Sequence, residues 1–225
     1  MSKYTNMPVC DLRHLNDVNS IRQIEEIRNI ALLILPNDAS EEVMSAIAGI
    51  PKSSIASTIP LSKNDNIRVI NGVFEASDSD FAGEANTVIV VNGVVLIKDI
   101  SRETKGDIIA NGMVILQESL RGACALNFPM VNGIRTYMDF DAYKVYPDEI
   151  EIDSDFISYL APKTMIIAGH QISVKNDVTA EILKEKDLKL IAGDCINCYE
   201  NVASYVKANS FVGDKINVLA ADNNG

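Results

Sequence analysis

Apolar residues in this chain form short runs of strand length, and a small turn sequence interrupts them at regular intervals. In residues 87–99, TVIVVNGVVLIKD, aliphatic residues run up to Asn92-Gly93 and resume directly after it. The same pattern occurs at four places: Asn71-Gly72, Asn92-Gly93, Asn111-Gly112 and Asn132-Gly133. Successive glycines of this series are 21, 19 and 21 residues apart. Aliphatic runs of this length, bounded by turn residues, predict β-strands.

Two later stretches repeat the pattern with alanine in place of asparagine. They are TMIIAGHQISVKN and LKLIAGDCINCYEN, and their glycines, Gly169 and Gly193, lie 24 residues apart. Residues 27–38, IRNIALLILPND, fit as a degenerate earlier copy. A near-constant period of this size indicates a repeat architecture, in which each repeat buries its apolar face against its neighbours.

The Asn-Gly dipeptides are compatible with two arrangements. In the first, each dipeptide closes a two-residue hairpin, because both residues of a type I′ turn need positive φ. In the second, each dipeptide turns one corner of a coil, and equivalent asparagines stack on adjacent coils at the strand spacing of about 4.8 Å. Their side chains would then form a hydrogen-bonded ladder. The regular interval and the replacement of Asn by Ala in the later copies favour the second arrangement.

The pattern therefore predicts a mainly β fold with flanking helices, arranged as a β-solenoid-like repeat of about 19–24 residues per coil. An antiparallel β meander or sandwich with helices is the alternative. The residues predicted to form structural turns are Asn71, Gly72, Asn92, Gly93, Asn111, Gly112, Asn132, Gly133, Gly169 and Gly193.

Helical periodicity is confined to the two ends of the chain. NDVNSIRQIEEIRNI has aliphatic residues at a three-residue spacing from Val18 to Ile27, which predicts an N-terminal helix that covers the open edge of the first coil. PNDASEEVMSAIAGIP has Asp38 and Glu41 in a capping pattern and Gly49 as a stop signal, which predicts a second helix. Two further helices are predicted in NDVTAEILKEKD and ENVASYVKAN.

These elements suggest one repeat domain over residues 1–225. Its predicted parts are a helical cap in residues 1–30, β-rich repeats in 30–160, strand–helix repeats in 161–220 and a frayed polar tail in 221–225. The period and alternation of the strand–helix part match those of leucine-rich repeats. The leucine-rich consensus is not legible, however, so no family assignment follows.

Charge and the N-terminal sequence limit the partners that we expect. The chain has 20 Lys and Arg against 31 Asp and Glu, a net charge of −11, so binding to nucleic acid or to an anionic membrane is disfavoured. The first twenty residues are polar and contain no secretory h-region. We therefore expect a cytoplasmic protein with reduced thiols and without a cofactor.

The sequence CINC, Cys195 to Cys198, is the strongest candidate for metal or redox chemistry. A zinc site needs four ligands, and His170 aligns with Asp194 in the repeat, next to Cys195. In a strand, however, Cys195 and Cys198 point to opposite faces. We therefore predict no metal site and structural cysteines, with a metal site involving Cys195, Cys198 and His170 as the alternative.

Acidic residues recur in two similar stretches, ASDSDFAG with Asp78 and Asp80, and IDSDFISY with Asp153 and Asp155. Such oxygen ligands suit calcium, but the EF-hand spacing and its glycine are missing. Alternating acids and isoleucines in EIEID also describe a half-solvated strand with a protected edge.

The repeat pattern and the lack of a catalytic motif favour a non-enzymatic scaffold. Such a protein would present an elongated β-rich face for protein–protein interaction or for self-assembly into homo-oligomers. The alternative is a carbohydrate-active or carbohydrate-binding β-helix protein that uses acids from adjacent coils, such as Asp78, Asp80 and Glu118.

Overall fold

The computed structural model describes residues 2–82 and 87–220, and it is mainly β. The described chain divides into two compact units, residues 2–66 and the remainder. The expectation of one repeat domain stays a prediction, and the predicted tail, residues 221–225, lies outside the described residues. No helix in the described ranges is long and apolar enough to cross a membrane.

The first unit contains three strands and two helices. They are β1 (Ser2–Asp11), α1 (Val18–Arg22), β2 (Ile24–Pro36), α2 (Glu41–Ala48) and β3 (Lys52–Leu61). The strands pair in parallel in the order β1-β2-β3, so each connecting helix leads into a strand beside the previous one. Both helices pack on one side, against an aliphatic core that includes Ile21, Ile27, Ile30, Val43 and Ile47.

The second unit begins with a central group of strands. They are β4 (Asn66–Glu75), β5 (Thr87–Ile97), β6 (Asp107–Gln117), β7 (Asn127–Asn132) and β8 (Arg135–Met138), with short 3-10 helices at Asp78–Phe81 and Glu118–Leu120. The sheet order is β4-β5-β6-β7, and β8 also pairs with β6. Pairing is parallel, and β5 matches β6 residue by residue from Val88↔Asp107 to Ile97↔Leu116.

The rest of the second unit alternates short strands with helices. Its elements are β9 (Ala142–Tyr146), β10 (Glu149–Ile152), α3 (Ser154–Ser158), β11 (Thr164–Ala168), β12 (Gln171–Val174), α4 (Ala180–Glu185), β13 (Lys189–Ala192), β14 (Cys195–Tyr199), α5 (Glu200–Asn209), β15 (Ser210–Val212) and β16 (Lys215–Leu219). They form two parallel four-stranded sheets, β9-β11-β13-β15 and β10-β12-β14-β16.

The antiparallel alternative is wrong for these strands. A hairpin at Asn92-Gly93 would pair the two halves of β5 with each other, whereas β5 pairs along its whole length with the equivalent residues of β6. Gly93 has a positive φ of 143° inside the continuous strand, and Gly72, Gly112 and Gly133 have φ of 104°, 140° and 142°. The dipeptide therefore bends a strand, and the bends of adjacent strands lie side by side.

At these bends the backbones approach so closely that no side chain fits between them. A Cβ atom at Gly93 would collide with the carbonyl oxygen of Gly72, and Gly112 and Gly133 stand in the same relation to the glycine before them. Gly193 likewise lies against the Gly169 carbonyl, although neither has a positive φ. Glycine is thus required there for space alone.

The asparagines beside these glycines form the predicted ladder. The Asn92 Nδ2 donates to Asn71 Oδ1 at 2.8 Å, the Asn111 Nδ2 donates to Asn92 Oδ1 at 2.9 Å, and the Asn132 Nδ2 donates to Asn111 Oδ1 at 2.9 Å. The amides of Asn92 and Asn111 both donate and accept at the strand spacing, so the ladder helps to fix the register of adjacent strands.

Two strand groups of the second unit pack side by side because the chain returns across the first group. After β8, the Phe140 N–H donates to Gln117 Oε1, Lys98 Nζ donates to the Asp141 carbonyl, and Tyr143 Oη donates to Glu75 Oε2. The segment thus passes β6, β5 and β4 in reverse order. A shared core then forms around Phe140, with the members Leu96, Ile115, Met165, Ile167 and Ile191.

The predicted N-terminal helical cap is wrong over most of residues 1–30. Only Val18–Arg22 is helical, with Asp17 as its N-cap, while β1 and the start of β2 are strands. The three-residue spacing of Ile24, Ile27 and Ile30 arises in a strand because the pairing with β1 shifts near Ser2 and Asn29 adopts a φ of 54°. The extra residue at the shift and the left-handed backbone at Asn29 each interrupt the alternation of side chains, so a spacing of two becomes three.

The other predicted helices are present, with one change of cap. α2 begins after Ser40, whose Oγ accepts a hydrogen bond from the Val43 N–H, whereas Asp38 accepts hydrogen bonds from Ser62 and Lys63. α4 and α5 lie where the sequence predicts them, and α5 covers Glu200–Asn209. α3 was not predicted, because its five residues contain too little helical periodicity.

The glycine column predicts a sharp difference between two substitutions. Gly93→Ala should lower the free energy of unfolding by about 3 kcal/mol or more, because backbone strain and a collision with the neighbouring strand act together. Gly72→Ala is the matched control, since its φ is also positive but nothing lies within 4 Å of the added Cβ. It should cost about 1–3 kcal/mol from strain alone. Urea unfolding measures both, and equal costs would contradict the steric explanation.

The asparagine ladder predicts energetic coupling between Asn92 and Asn111. Each Asn→Ala substitution should cost about 1–3 kcal/mol, because it leaves neighbouring amides unpaired. The double variant should cost less than the sum by at least about 0.5 kcal/mol, since the shared hydrogen bond is lost only once. Asn92→Ala combined with Asn217→Ala is the control, and its two costs should add. Strict additivity for the first pair in urea unfolding would show that the ladder does not couple adjacent strands.

Candidate functional site

The outer surface of the sheet β10-β12-β14-β16 is a regular polar surface. Its strands alternate aliphatic and polar residues, as in EIEI, QISV, CINC and KINV. Because side chains alternate along a strand, the isoleucines enter the core and the polar residues face outward. The register aligns these outward residues in two columns. We call its central part the polar face, made of Gln171, Ser173, Cys195, Asn197 and Asn217.

Side-chain hydrogen bonds hold one column of the polar face in place. Asn217 Nδ2 donates to Asn197 Oδ1 at 2.8 Å, and Asn197 Nδ2 donates to Ser173 Oγ at 3.4 Å. Gln171 Nε2 also donates to Ser173 Oγ, at 3.1 Å. All four side chains are half-buried, so the face is ordered while it remains accessible.

The second column combines a thiol with charges at its two ends. Cys195 Sγ donates to Gln171 Oε1 at 3.3 Å, and in the same column Glu149 lies on the outer strand β10 and Lys215 on the outer strand β16. Next to Glu149, Glu151 pairs with Lys175 at 2.7 Å. The polar face is therefore neutral in the centre, with acids along one side and a lysine on the other.

His170 lies beside Asp194, as the repeat alignment predicts. Their Nδ1 and Oδ2 atoms are 2.7 Å apart, and the side chains are 63% and 59% exposed. A contact between two side chains with this exposure contributes little to stability. The Cys195 N–H donates to the His170 carbonyl, but the Cys195 thiol turns to Gln171, so the histidine does not act on the thiol.

The cysteines of CINC face opposite sides of β14. Cys198 is fully buried in the aliphatic core, and burial raises the pKa of its thiol, so it stays protonated and chemically inert. Cys10 is also buried, which raises its pKa to about 11. Within the part of the chain that the structure describes, no group of three or more His, Cys, Asp or Glu residues could hold a metal ion.

The acids considered for carbohydrate chemistry have structural partners. Asp78 accepts hydrogen bonds from Thr104 Oγ1 and the Ser101 N–H, which lower its pKa. Burial works to raise the pKa of Asp80, but hydrogen bonds from Ser77 and Arg68 outweigh it and lower the pKa. The Glu118 pKa is lowered by its hydrogen bond with Arg121. A general acid needs a raised pKa, so none of the three is prepared for that role.

The second acidic stretch also serves the fold. Asp153 caps α3, since its Oδ1 accepts from the Phe156 N–H at 2.7 Å, and Asp155 lies in the first turn of that helix. Acids at a helix N-terminus are stabilised by the backbone N–H groups and the helix dipole. The recurrence of the D-S-D sequence thus reflects capping, since Ser77 and Asp80 likewise cap the 3-10 helix Asp78–Phe81.

The described residues also form a cavity in the first unit and a groove in the second. One of about 700 Å³ lies between α1 and α2 in the first unit, with Arg22, Glu41 and Glu42 in its lining. The other, of about 300 Å³, is an apolar groove between the bends of the two strand groups of the second unit, lined by Gly93, Val94 and opposing residues that include Tyr146. Neither was predicted, because cavities depend on how distant segments pack.

Sequence reasoning missed the polar face because CINC was considered as a metal motif. Aligned one residue after each turn, Gln171, Cys195 and Lys215 form one column, and Ser173, Asn197 and Asn217 form the other. The sequence signal for the polar face is therefore that polar residues occupy the same position in successive repeats.

Comparison with protein families, with curated proteins and with solved structures gives no match for this chain.

The two faces of β14 predict opposite responses to a minimal change of sulfur to oxygen. Cys198→Ser should lower the free energy of unfolding by about 1–3 kcal/mol, because it buries a hydroxyl in an aliphatic core. Cys195→Ser should change it by less than about 0.5 kcal/mol, because a hydroxyl still donates to Gln171 at a half-exposed position. Urea unfolding of both variants, with metal content measured in parallel, tests this. Zinc bound at one ion per chain in the unsubstituted protein, and lost in either variant, would contradict it.

Proposed function

We propose that this chain is a non-enzymatic repeat scaffold of the β-solenoid kind, with 19–24 residues per coil, that binds a protein partner through the polar face. Three features support the solenoid arrangement: parallel pairing, glycines aligned at the bends, and side-chain ladders between equivalent residues. The proposal locates the protein in the cytoplasm, where its four free cysteines would stay reduced.

One observation carries the partner proposal: a parallel sheet whose outer side is polar and only half-buried. Parallel sheets are normally covered on both sides, which is why their strands are usually aliphatic throughout. β12 and β14 are aliphatic toward the core but present Ser173 and Asn197 outward. An outer surface of this kind fits a sheet that is covered by something other than its own chain.

The polar face is suited to binding because its side chains are already ordered. Binding normally costs about 0.5–1.5 kcal/mol for each flexible side chain that becomes fixed. Hydrogen bonds already fix the side chains of Ser173, Asn197 and Asn217 in the free protein, so less side-chain entropy is lost when a partner binds. The amide and hydroxyl groups can both donate and accept, which suits a peptide backbone or other neutral polar groups.

The charges around the face indicate how a partner would be oriented. Glu149 and Glu151 lie on β10 at one side, and Lys215 lies on β16 at the other. A partner segment with a basic side and an acidic side would bind in one orientation only, because like charges placed together are unfavourable.

The carbohydrate alternative gains no support from its candidate acids. Asp78, Asp80 and Glu118 are each engaged in hydrogen bonds that keep their pKa low. We therefore keep carbohydrate binding as an outcome of the test below.

The proposal is tested by charging the polar face. Ser173→Arg and Asn197→Arg should each reduce capture of the partner from cell extract on the immobilised full chain by about tenfold or more. Quantitative mass spectrometry identifies proteins that are enriched by the unsubstituted chain, and titration with the purified partner then gives the affinity. Ser204→Arg is the matched control, because Ser204 is an exposed serine on α5 rather than on the sheet.

Urea unfolding midpoints show whether the variants remain folded. If all four forms capture the same proteins, or none captures any, the polar face is not a protein-binding surface. Binding to a glycan array, abolished by Ser173→Arg, would favour the carbohydrate alternative instead.

A further inference from the structure

The Asn-Gly pairs that form the strand bends also have a chemistry of their own, the loss of the asparagine side-chain amide. The glycine backbone nitrogen gives up its proton to solvent and attacks the asparagine Cγ, and glycine allows this approach because it has no side chain. The bond from Cγ to the amide nitrogen breaks, the nitrogen takes a proton and leaves as ammonia, and a five-membered succinimide forms. Water then opens the ring at either carbonyl, which gives aspartate or isoaspartate. Water is the only co-reactant.

The fold controls which pairs react, because the ring closes only when the asparagine leaves its extended conformation. Both the backbone at the asparagine and its side chain must rotate to bring Cγ to the glycine nitrogen. Pairing on both sides of the strand, close packing of the glycine and a hydrogen bond from the amide each oppose that rotation. The rate therefore follows the local free energy of opening, which differs from place to place within one fold.

The asparagine ladder holds the amide nitrogen of every member except the first. The Nδ2 atoms of Asn92, Asn111 and Asn132 each donate to the Oδ1 of the asparagine before them, at 2.8–2.9 Å. Asn71 is the first of the series, so its Oδ1 accepts from Asn92, but its Nδ2 donates to no residue in the described ranges. We call Asn71 the acceptor end of the ladder. Its amide nitrogen, which is the leaving group, departs without breaking a ladder hydrogen bond.

The glycine after Asn71 also has more room than the other glycines of the ladder. Nothing among the described residues lies within 4 Å of a Cβ built on Gly72, whereas at Gly93, Gly112 and Gly133 that atom meets the carbonyl of the preceding glycine. A backbone packed so closely cannot swing toward the preceding side chain without displacing the neighbouring strand. The bend at Gly72 therefore has the space that ring closure needs.

The position of β4 in the sheet lowers the cost of opening further. Among the described strands β4 pairs only with β5, whereas β5 and β6 each have neighbours on both sides. Asn71 is exposed, while Asn92 and Asn111 are half-buried. Asn132 is exposed on the outer strand β7, but its amide donates within the ladder and the glycine after it is closely packed. Of the four ladder asparagines, only Asn71 meets all three conditions.

From these observations we infer that Asn71 is a modification site, at which the side-chain amide is lost spontaneously and ahead of the other ladder asparagines. The fold tolerates the aspartate product, because a carboxylate at position 71 still accepts from Asn92 Nδ2, and a charged acceptor strengthens a hydrogen bond. The same change at Asn92 would remove its donor and place carboxylate oxygens against Asn71 Oδ1, which leaves acceptors unpaired. The reaction is thus favoured at the position where its product fits the ladder.

The experiment follows amide loss at each site of the full chain during incubation at mildly alkaline pH. Peptide mapping by liquid chromatography and mass spectrometry locates each converted asparagine and separates aspartate from isoaspartate. In the folded chain Asn71 should convert at least about tenfold faster than any other ladder asparagine, because the others need additional opening. In urea the four rates should become similar, because the unfolded chain lacks both the ladder and the packed glycines. Asn224-Gly225 lies outside the described residues and is measured as a separate site.

A matched pair of variants tests whether the ladder accommodates the product. Asn71→Asp should leave the urea unfolding midpoint close to that of the unsubstituted chain, whereas Asn92→Asp should lower it, because only the second removes a ladder donor. Conversion of another ladder asparagine as fast as Asn71 in the folded chain overturns the inference, as does a folded chain that keeps the Asn71 amide while the chain in urea loses it. An Asn71→Asp midpoint as low as that of Asn92→Asp overturns it too.

Discussion

The strands of the second unit approach each other closely where one bends against the next, and this approach constrains how they can pair. At Gly93 and Gly112 the neighbouring carbonyl occupies the space of a Cβ, so only glycine is tolerated. Because the bends must coincide, adjacent strands can pair only in parallel and in one register. A slip of one residue would place a side chain against that carbonyl and would turn every aliphatic residue to the wrong face. The register is thus set by steric exclusion at one point and reinforced along the whole strand.

A fixed register turns local sequence similarity into columns of like side chains. Asn71, Asn92 and Asn111 become a hydrogen-bonded ladder, and Ser173, Asn197 and Asn217 become the polar face. The first unit has a smaller version, in which Asn29 Nδ2 donates to Asn6 Oδ1 at 2.7 Å and both residues have positive φ. Asparagine suits such bends because it tolerates a left-handed backbone and its amide reaches the next strand. The fixed register of the strands therefore determines both their hydrogen-bonded ladders and the chemistry of their outer surface.

The sequence predicted the features that follow directly from the Asn-Gly pattern and its spacing. The interval between Asn-Gly dipeptides was sufficient for the mainly β class and for the Asn92–Asn111 hydrogen bond. It was not sufficient for the first unit, where Asn29 bends β2 without a glycine and the resulting spacing of isoleucines imitates a helix. The packing around Phe140 could not be predicted from the sequence either. It depends on a return segment that crosses strands up to 68 residues away in sequence. The polar face was visible in principle, through the positions shared by Ser173, Asn197 and Asn217.

A stack of equivalent strands must end, and its ends differ chemically from its middle. Inside the stack, each column residue is covered by the residues before and after it, so identical side chains suffice. At an end, one neighbour is missing, and either the side chain changes or another molecule replaces the neighbour. Arg121 and Arg135 represent the first solution, because they place charge over Tyr137 and Phe128. Phe211 on β15 and Val218 on β16 continue the interior pattern without such a charge, and they are 42% and 40% exposed because each strand has only one neighbour among the described strands.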